Sequence, residues 1–163
     1  MNVIRIDENN AAKVIPLIAS FRAELLSYKG TAAEPDAKRA EEELFEFLDK
    51  GYQVFAAEQD DGELMGHIVC RIEDECIWVE QLFVCGRYRR QGVASLLFGK
   101  AEEIAGSMGE ETVFNFVHPN NDGMIAFLRS KGYTVLNLIE IRKPYAGEKL
   151  RTKVRVDENV FDY

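Results

Sequence analysis

The chain has 163 residues, 47% of them apolar, with 12 Gly and 4 Pro; that suits one domain, residues 1–163, with a sizeable core, and excludes a fibre or a disordered chain. Its 20 Lys and Arg against 28 Asp and Glu leave a formal charge of −8, which argues against nucleic acid or an anionic membrane as partner. MNVIRIDENN has no apolar h-region, and no apolar run approaches the roughly 18 residues of a spanning helix, so a cytoplasmic protein is expected.

Asn2–Asp7 alternates and reads as an opening strand. Ala11–Tyr28 places Val14, Leu17, Ile18, Phe21, Leu25 and Leu26 at helical spacing. After Gly30 and Pro35, residues 36–49 read as a second helix, with Gly51 where a C-cap belongs. The period then switches to two. Strands are predicted at Tyr52–Glu58, Leu64–Ile72 and Cys76–Val84, joined by turns at Asp60-Asp61-Gly62 and Glu73-Asp74-Glu75. Gly92–Met108 is a helix, Thr112–Val117 a strand, Asn121–Lys131 a helix, and Tyr133–Ile141 and Lys149–Val156 further strands. The expected class is α/β (α+β mixed): a mostly antiparallel central sheet of six to seven strands flanked by about four helices. Cys70, Cys76 and Cys85 form no C-x-x-C and read as reduced thiols. His67 and His118 stand at no ligand spacing to them, so no metal is expected.

The most unusual local feature is FVCGRYRRQGVASLLF, three arginines within Arg87–Arg90 on an acidic chain. Arg89-Arg90-Gln91-Gly92-Val93-Ala94 follows a strand and opens a helix. The first N–H groups of a helix lack internal partners and carry the positive end of its dipole. Gly92 and Ala94 keep side chains out of the way, so a phosphate can approach the backbone. The adjacent arginines add charge-assisted bonds. The loop is neither G-x-x-x-x-G-K-[ST] nor G-x-G-x-x-G after a first strand, so neither a P-loop nor a dinucleotide Rossmann site is supported. The bland alternative is a solvated basic turn.

Arg89-x-x-Gly92-x-Ala94 resembles the [Q/R]-x-x-G-x-[G/A] loop of the GNAT superfamily of acyl-CoA-dependent N-acetyltransferases. "NNDGMIAFLRSKGY" (Asn120–Tyr133) resembles that family's N-x-x-A-x-x-F-Y-x-x-x-G-F segment, and the two motifs stand in the family's order. The resemblance implies acetyl-CoA as co-substrate, with its pyrophosphate held by Arg89, Arg90, Gln91, Gly92, Val93 and Ala94. It implies that the pantetheine arm pairs with backbone at Leu82, Phe83 and Val84, and that Asn121 and Phe127 contact the cofactor from the other side.

Transfer to a lysine-like amine, of pKa about 10.4, needs a proton acceptor near neutral pH. Glu80 in "VEQLFV" matches the position from which many members of the family it resembles supply a base through water; a surface carboxylate with no catalytic duty is the alternative. Alternation puts Trp78, Glu80, Leu82 and Val84 on one face, and Val79, Gln81 and Phe83 on the other. A backbone N–H at Phe83 or Val84 is the candidate oxyanion donor. The sequence departs from the family at Leu128, where a tyrosine acting as general acid often stands. No general acid is assigned, and Tyr133 reads as core. His118 reads as a loop histidine and Cys85 as a bystander thiol.

The acceptor is a small-molecule or peptide amine. Glu34, Asp36, Glu41, Glu42, Glu43, Glu46 and Asp49 would suit a cationic one, but a solvated helix face is the preferred explanation of them. The C-terminal "KLRTKVRVDENVFDY" is longer than the sheet obviously needs, and the resemblance implies that such an edge strand could pack on a second subunit as a homodimer. The leading expectation is an acetyl-CoA-dependent N-acetyltransferase. An acyl-CoA-binding module with little turnover is the alternative that Leu128 raises.

Overall fold

The computed structural model describes residues 1–163, in two compact units, Met1–Phe127 and Leu128–Tyr163. In the larger unit, β1 (Asn2–Ile6) leads through a single 3-10 turn to α1 (Ile15–Ser27) and α2 (Ala37–Asp49). Pro16 at the second position of α1 costs no hydrogen bond there. The Asp36 side chain caps α2 by accepting from the Arg39 N–H at 3.0 Å.

The meander follows as β2 (Gln53–Glu58), β3 (Leu64–Glu73) and β4 (Cys76–Val84), then come α3 (Val93–Ser107) and the short β5 (Phe114–Asn115). The sheet order is β1-β2-β3-β4-β5, antiparallel up to β4, with β5 parallel to β4. The β3–β4 turn carries Asp74 and Glu75 at φ of 49° and 64°, a left-handed pair whose twist suits a two-residue hairpin although neither is glycine. Helices α1 and α2 cover one face, where Val14, Leu17, Ile18 and Leu44 pack with Val54, Ala56, Val69 and Phe83. Helix α3 covers the other, burying Val93, Leu97, Phe98 and Ala101.

Helix α4 (Asp122–Ser130) is followed by Gly132 at φ 90°, which ends it. The C-terminal unit holds a hairpin of β6 (Lys153–Val156) and β7 (Asn159–Asp162), turning at Asp157 with φ 53°. Thr152 and Tyr163 close it by exchanging backbone bonds of 3.0 and 2.9 Å.

Three expectations need correction. The central sheet has five strands rather than six or seven, because β6 and β7 pair only with each other. The strand foreseen at Thr112–Val117 shrinks to two paired residues. Tyr133–Ile141 has no strand, and Val135, Leu136, Leu138, Ile139 and Ile141 are exposed. Those apolar positions follow no strict alternation, and β-forming side chains make a strand only where a partner supplies the ladder.

Candidate active site

The register of β3 with β4 decides where the site's side chains point. Val69 faces Gln81 and Cys70 faces Val79, so Glu80 is an extra residue with no partner, a β-bulge. One extra residue reverses the parity of everything beyond it. Gln81 and Phe83 share the face of Val69 and His67, under α1 and α2, whereas Val79 and Ile77 share the α3 face with Cys70 and Ile72. Strict alternation had placed Val79 with Gln81, and Glu80 opposite both Gln81 and Phe83. The bulge instead brings Glu80 and Gln81 to the same face.

Glu80 is held there by Arg71, whose Nε donates to its carboxylate at 2.6 Å. Arg71 also pairs with Glu73 and lies 5.3 Å over the Trp78 ring, its cross-strand neighbour. Trp78 stacks in turn on Phe114 and Phe116, at 4.7 and 4.9 Å between centroids. These contacts leave the Glu80 side chain 23% exposed, enough to reach a water or an amine. Arg71 could have been placed opposite Trp78 by counting back from the hairpin turn; the bulge has no such signature.

Beneath Glu80 lies a polar chain that composition alone does not reveal. Gln81 donates from Nε2 to Glu43 at 3.0 Å and lies 2.9 Å from His67 Nε2. Glu43 accepts from Arg22 Nε at 2.7 Å. Both Gln81 and His67 are fully buried, and burial pushes the His67 imidazole down to about 4, against a weaker upward pull from Gln81.

At its far end β4 becomes an open edge. The β4–β5 pairing covers only Trp78 and Val79. The Cys85 N–H donates to Met65 O at 2.9 Å, so Phe83, two residues earlier, also faces β3, and Leu82 and Val84 turn their N–H and C=O groups outward. Of the three residues foreseen along the pantetheine, Leu82 and Val84 lie on the open edge. Phe83 instead packs against Phe21 and His67. Gly66 faces Val84 so closely that a Cβ would sit 2.3 Å from Phe83 O.

The basic loop follows. Arg87 pairs with Glu63, and Tyr88 donates to the same carboxylate. Arg89 ties the loop to α1 and β4, donating to Glu24 at 2.5 Å and to Val84 O at 2.9 Å. Arg90 is exposed at φ 62°, and Gly92, at φ 84°, caps α3 without any side-chain bond. The N–H groups of Arg90 to Ser95 donate to no backbone carbonyl; the ladder of α3 begins with Leu96 N–H to Gly92 O at 3.0 Å. A run of outward amides at a helix N-terminus is an anion cradle. Asn121 caps α4 by accepting from the Met124 N–H at 3.0 Å, and Phe127 packs edge-on against Phe98, 5.6 Å away. Leu128 is buried at 7% exposure.

His118 stacks on Tyr28 at 5.5 Å and is pushed down by burial and then by Lys29. Burial pushes the Cys85 thiol up, which lowers its thiolate fraction. No group of three or more His, Cys, Asp or Glu side chains is placed to hold a metal, and no helix is long and apolar enough to cross a membrane.

Comparison with known proteins gives this fold a family. The sequence model of the Acetyltransferase (GNAT) family matches residues 18–133, so the chain belongs to the GNAT family of acetyltransferases and is an acyltransferase of the GNAT type. No curated protein sequence matches it. Among solved structures it is similar to a ribosomal-protein-alanine N-acetyltransferase from Brucella melitensis, with 16% identity, TM-score 0.67, and coverage of 89% of this chain and 100% of that one. It is likewise similar to AAC(6')-Iy in complex with the bisubstrate analogue CoA-S-monomethyl-acetylneamine, with 18% identity, TM-score 0.66, and coverage of 88% and 98%. A third is the aminoglycoside 6'-N-acetyltransferase AAC(6')-IG from Acinetobacter haemolyticus, with 18% identity, TM-score 0.65, and coverage of 90% and 100%.

Proposed function

We propose that the protein transfers an acetyl group from acetyl-CoA directly to a primary amine of a small-molecule or peptide acceptor. The observation that carries this reading is the continuity of two open backbone features. The free edge of β4, Leu82 and the Val84 N–H, leads through one 3-10 turn to the amides of Arg90 to Ser95, which donate to no backbone carbonyl. An extended amide-bearing arm ending in a pyrophosphate fits both: the arm adds as a strand and the phosphates meet the helix N-terminus. Arg90 adds charge from solvent, while Arg89 serves as scaffold by holding the loop to Val84 and Glu24. Asn121 and Phe127 border the arm from α4.

Acetyl-CoA supplies the thioester; the chain's residues do the rest. Val84 N–H, on the open edge, is the oxyanion donor, since Phe83 N–H is turned toward β3. Glu80 takes the proton of the attacking amine, directly or through one water. Leu128 leaves no general acid beside the sulfur, and none is required, because a thiol of pKa about 8.5 departs as thiolate.

The test has two stages. Acetyl-CoA is titrated calorimetrically into the protein and an Arg89→Ala, Gly92→Glu variant, then thiol release is followed with sisomicin, spermidine and an N-terminal-alanine peptide. Binding that the variant loses, with amine-dependent thiol release, is expected. Binding without release by any amine would replace the enzyme by an acyl-CoA-binding module. No binding would discard the assignment of the loop.

A further inference from the structure

We propose that Gln81 is the positioning residue of this site: clamped between Glu43 and His67, it pins the β4 bulge and so fixes the face to which Glu80 points. The proposal rests on the reading of Glu80 as base. A bulge interrupts the ladder of bonds that would otherwise hold a strand in register. Sliding β4 by one residue would restore alternation and carry Glu80 away from Arg71. Something must oppose that slide, and Gln81 is the residue next to the bulge whose side chain is fixed at both ends.

The chemistry of the clamp is directional. A carboxylate only accepts, so the Gln81 amide must turn its NH2 toward Glu43 and its oxygen toward His67. His67 must then donate from Nε2, which leaves Nδ1 a bare lone pair. That atom is buried and has no protein partner. A buried polar atom left unpaired is a cost that ordinary packing avoids, and an apolar pair at these positions would remove it. The network is therefore better explained by what it holds in place than by stability. It joins four elements, His67 on β3, Gln81 on β4, Glu43 on α2 and Arg22 on α1, and Gln81 adjoins Glu80 on the strand.

The experiment is a double-mutant cycle on thiol release from acetyl-CoA, using the best amine of the panel above. Gln81→Met, of similar shape but without hydrogen bonds, should lower kcat at least tenfold with KM for acetyl-CoA unchanged. Glu43→Gln still presents an oxygen to the Gln81 NH2 and should retain most of the activity. Glu43→Leu should fall as Gln81→Met does, and it reaches the same bond from outside the core if Gln81→Met fails to fold. In the Glu80→Gln background, Gln81→Met should cost nothing further, because residues acting as a unit are not additive. A further tenfold loss there, full activity of Gln81→Met, or a Glu43→Gln variant as slow as Glu43→Leu would each overturn the proposal; the last would mean that the charge of Glu43 acts on the substrate itself. A Glu80→Gln enzyme with wild-type rate would be a separate failure, that of the base assignment.

Discussion

The two ends of β4 do different work with different materials. On the proposed reading, side chains near its middle, at the bulge, would do the chemistry: Glu80, held by Arg71 and neighboured by the Gln81 network. At its C-terminal end and in the following loop, backbone groups would carry binding on that reading, with Arg89 and Gln91 committed to scaffold bonds and Arg90 left exposed. A backbone site tolerates many sequences provided a few positions stay glycine or alanine. A side-chain site depends on the parity of one strand. Mutation should therefore separate binding from turnover.

The largest separation is expected at Glu80→Gln. Thiol release should fall by about 10²–10⁴-fold, the usual worth of a general base, while calorimetry finds acetyl-CoA bound as in the wild type. If binding falls too, the two ends of β4 are not independent.

The second test titrates the buried chain. The His67 imidazole has an ordinary value of 6.5 and is pushed down to about 4 in the folded protein. Below the ordinary value the unfolded chain takes up a proton that the folded one refuses, so stability falls as pH drops from about 6.5 to about 4. At about 1.36 kcal/mol per pH unit the whole descent is worth about 3 kcal/mol. Urea denaturation at pH 7 and pH 5 should show a loss that His67→Phe abolishes.

Gly92→Glu attacks the backbone end. It forces a side chain into the left-handed region and sets a carboxylate among the amides of Arg90 to Ser95. Acetyl-CoA should bind about 100-fold more weakly, roughly 2.7 kcal/mol, with the melting temperature moved much less. Gly66→Ala should produce the smallest effect, a loss of about 2 kcal/mol in denaturant, because its Cβ meets Phe83 O and pushes on Val84. That variant ties the regions together: a sheet defect that also weakens acetyl-CoA would show that the open edge must be held at a set distance from β3.

The contrast also explains what the sequence disclosed. The strand–glycine–helix arrangement of the Arg87–Ala94 loop was legible because it is local: a strand end, a glycine and a helix start within a few residues. The meander and α1 to α4 were legible for the same reason, each carrying its own period. The bulge was not, because residues 76–84 alternate without a visible interruption, and only pairing with β3 exposes Glu80 as unpartnered. Once parity was assumed, Gln81 looked like an ordinary inward residue and Glu43 like one more acid on a charged helix. The missing strand at Tyr133–Ile141 failed for a related reason, since a ladder belongs to two segments and its sequence describes one.

The two-residue β4–β5 pairing carries one more consequence. If the acyl carrier completes the open edge of β4, it becomes part of the sheet's own architecture. Occupancy should then act as a brace: at a concentration 100 times the dissociation constant, a ligand that binds only the folded state adds about 2.7 kcal/mol to its stability. The lifetime of this chain against proteolysis would follow the supply of its acyl donor, so that the enzyme persists while there is something to transfer.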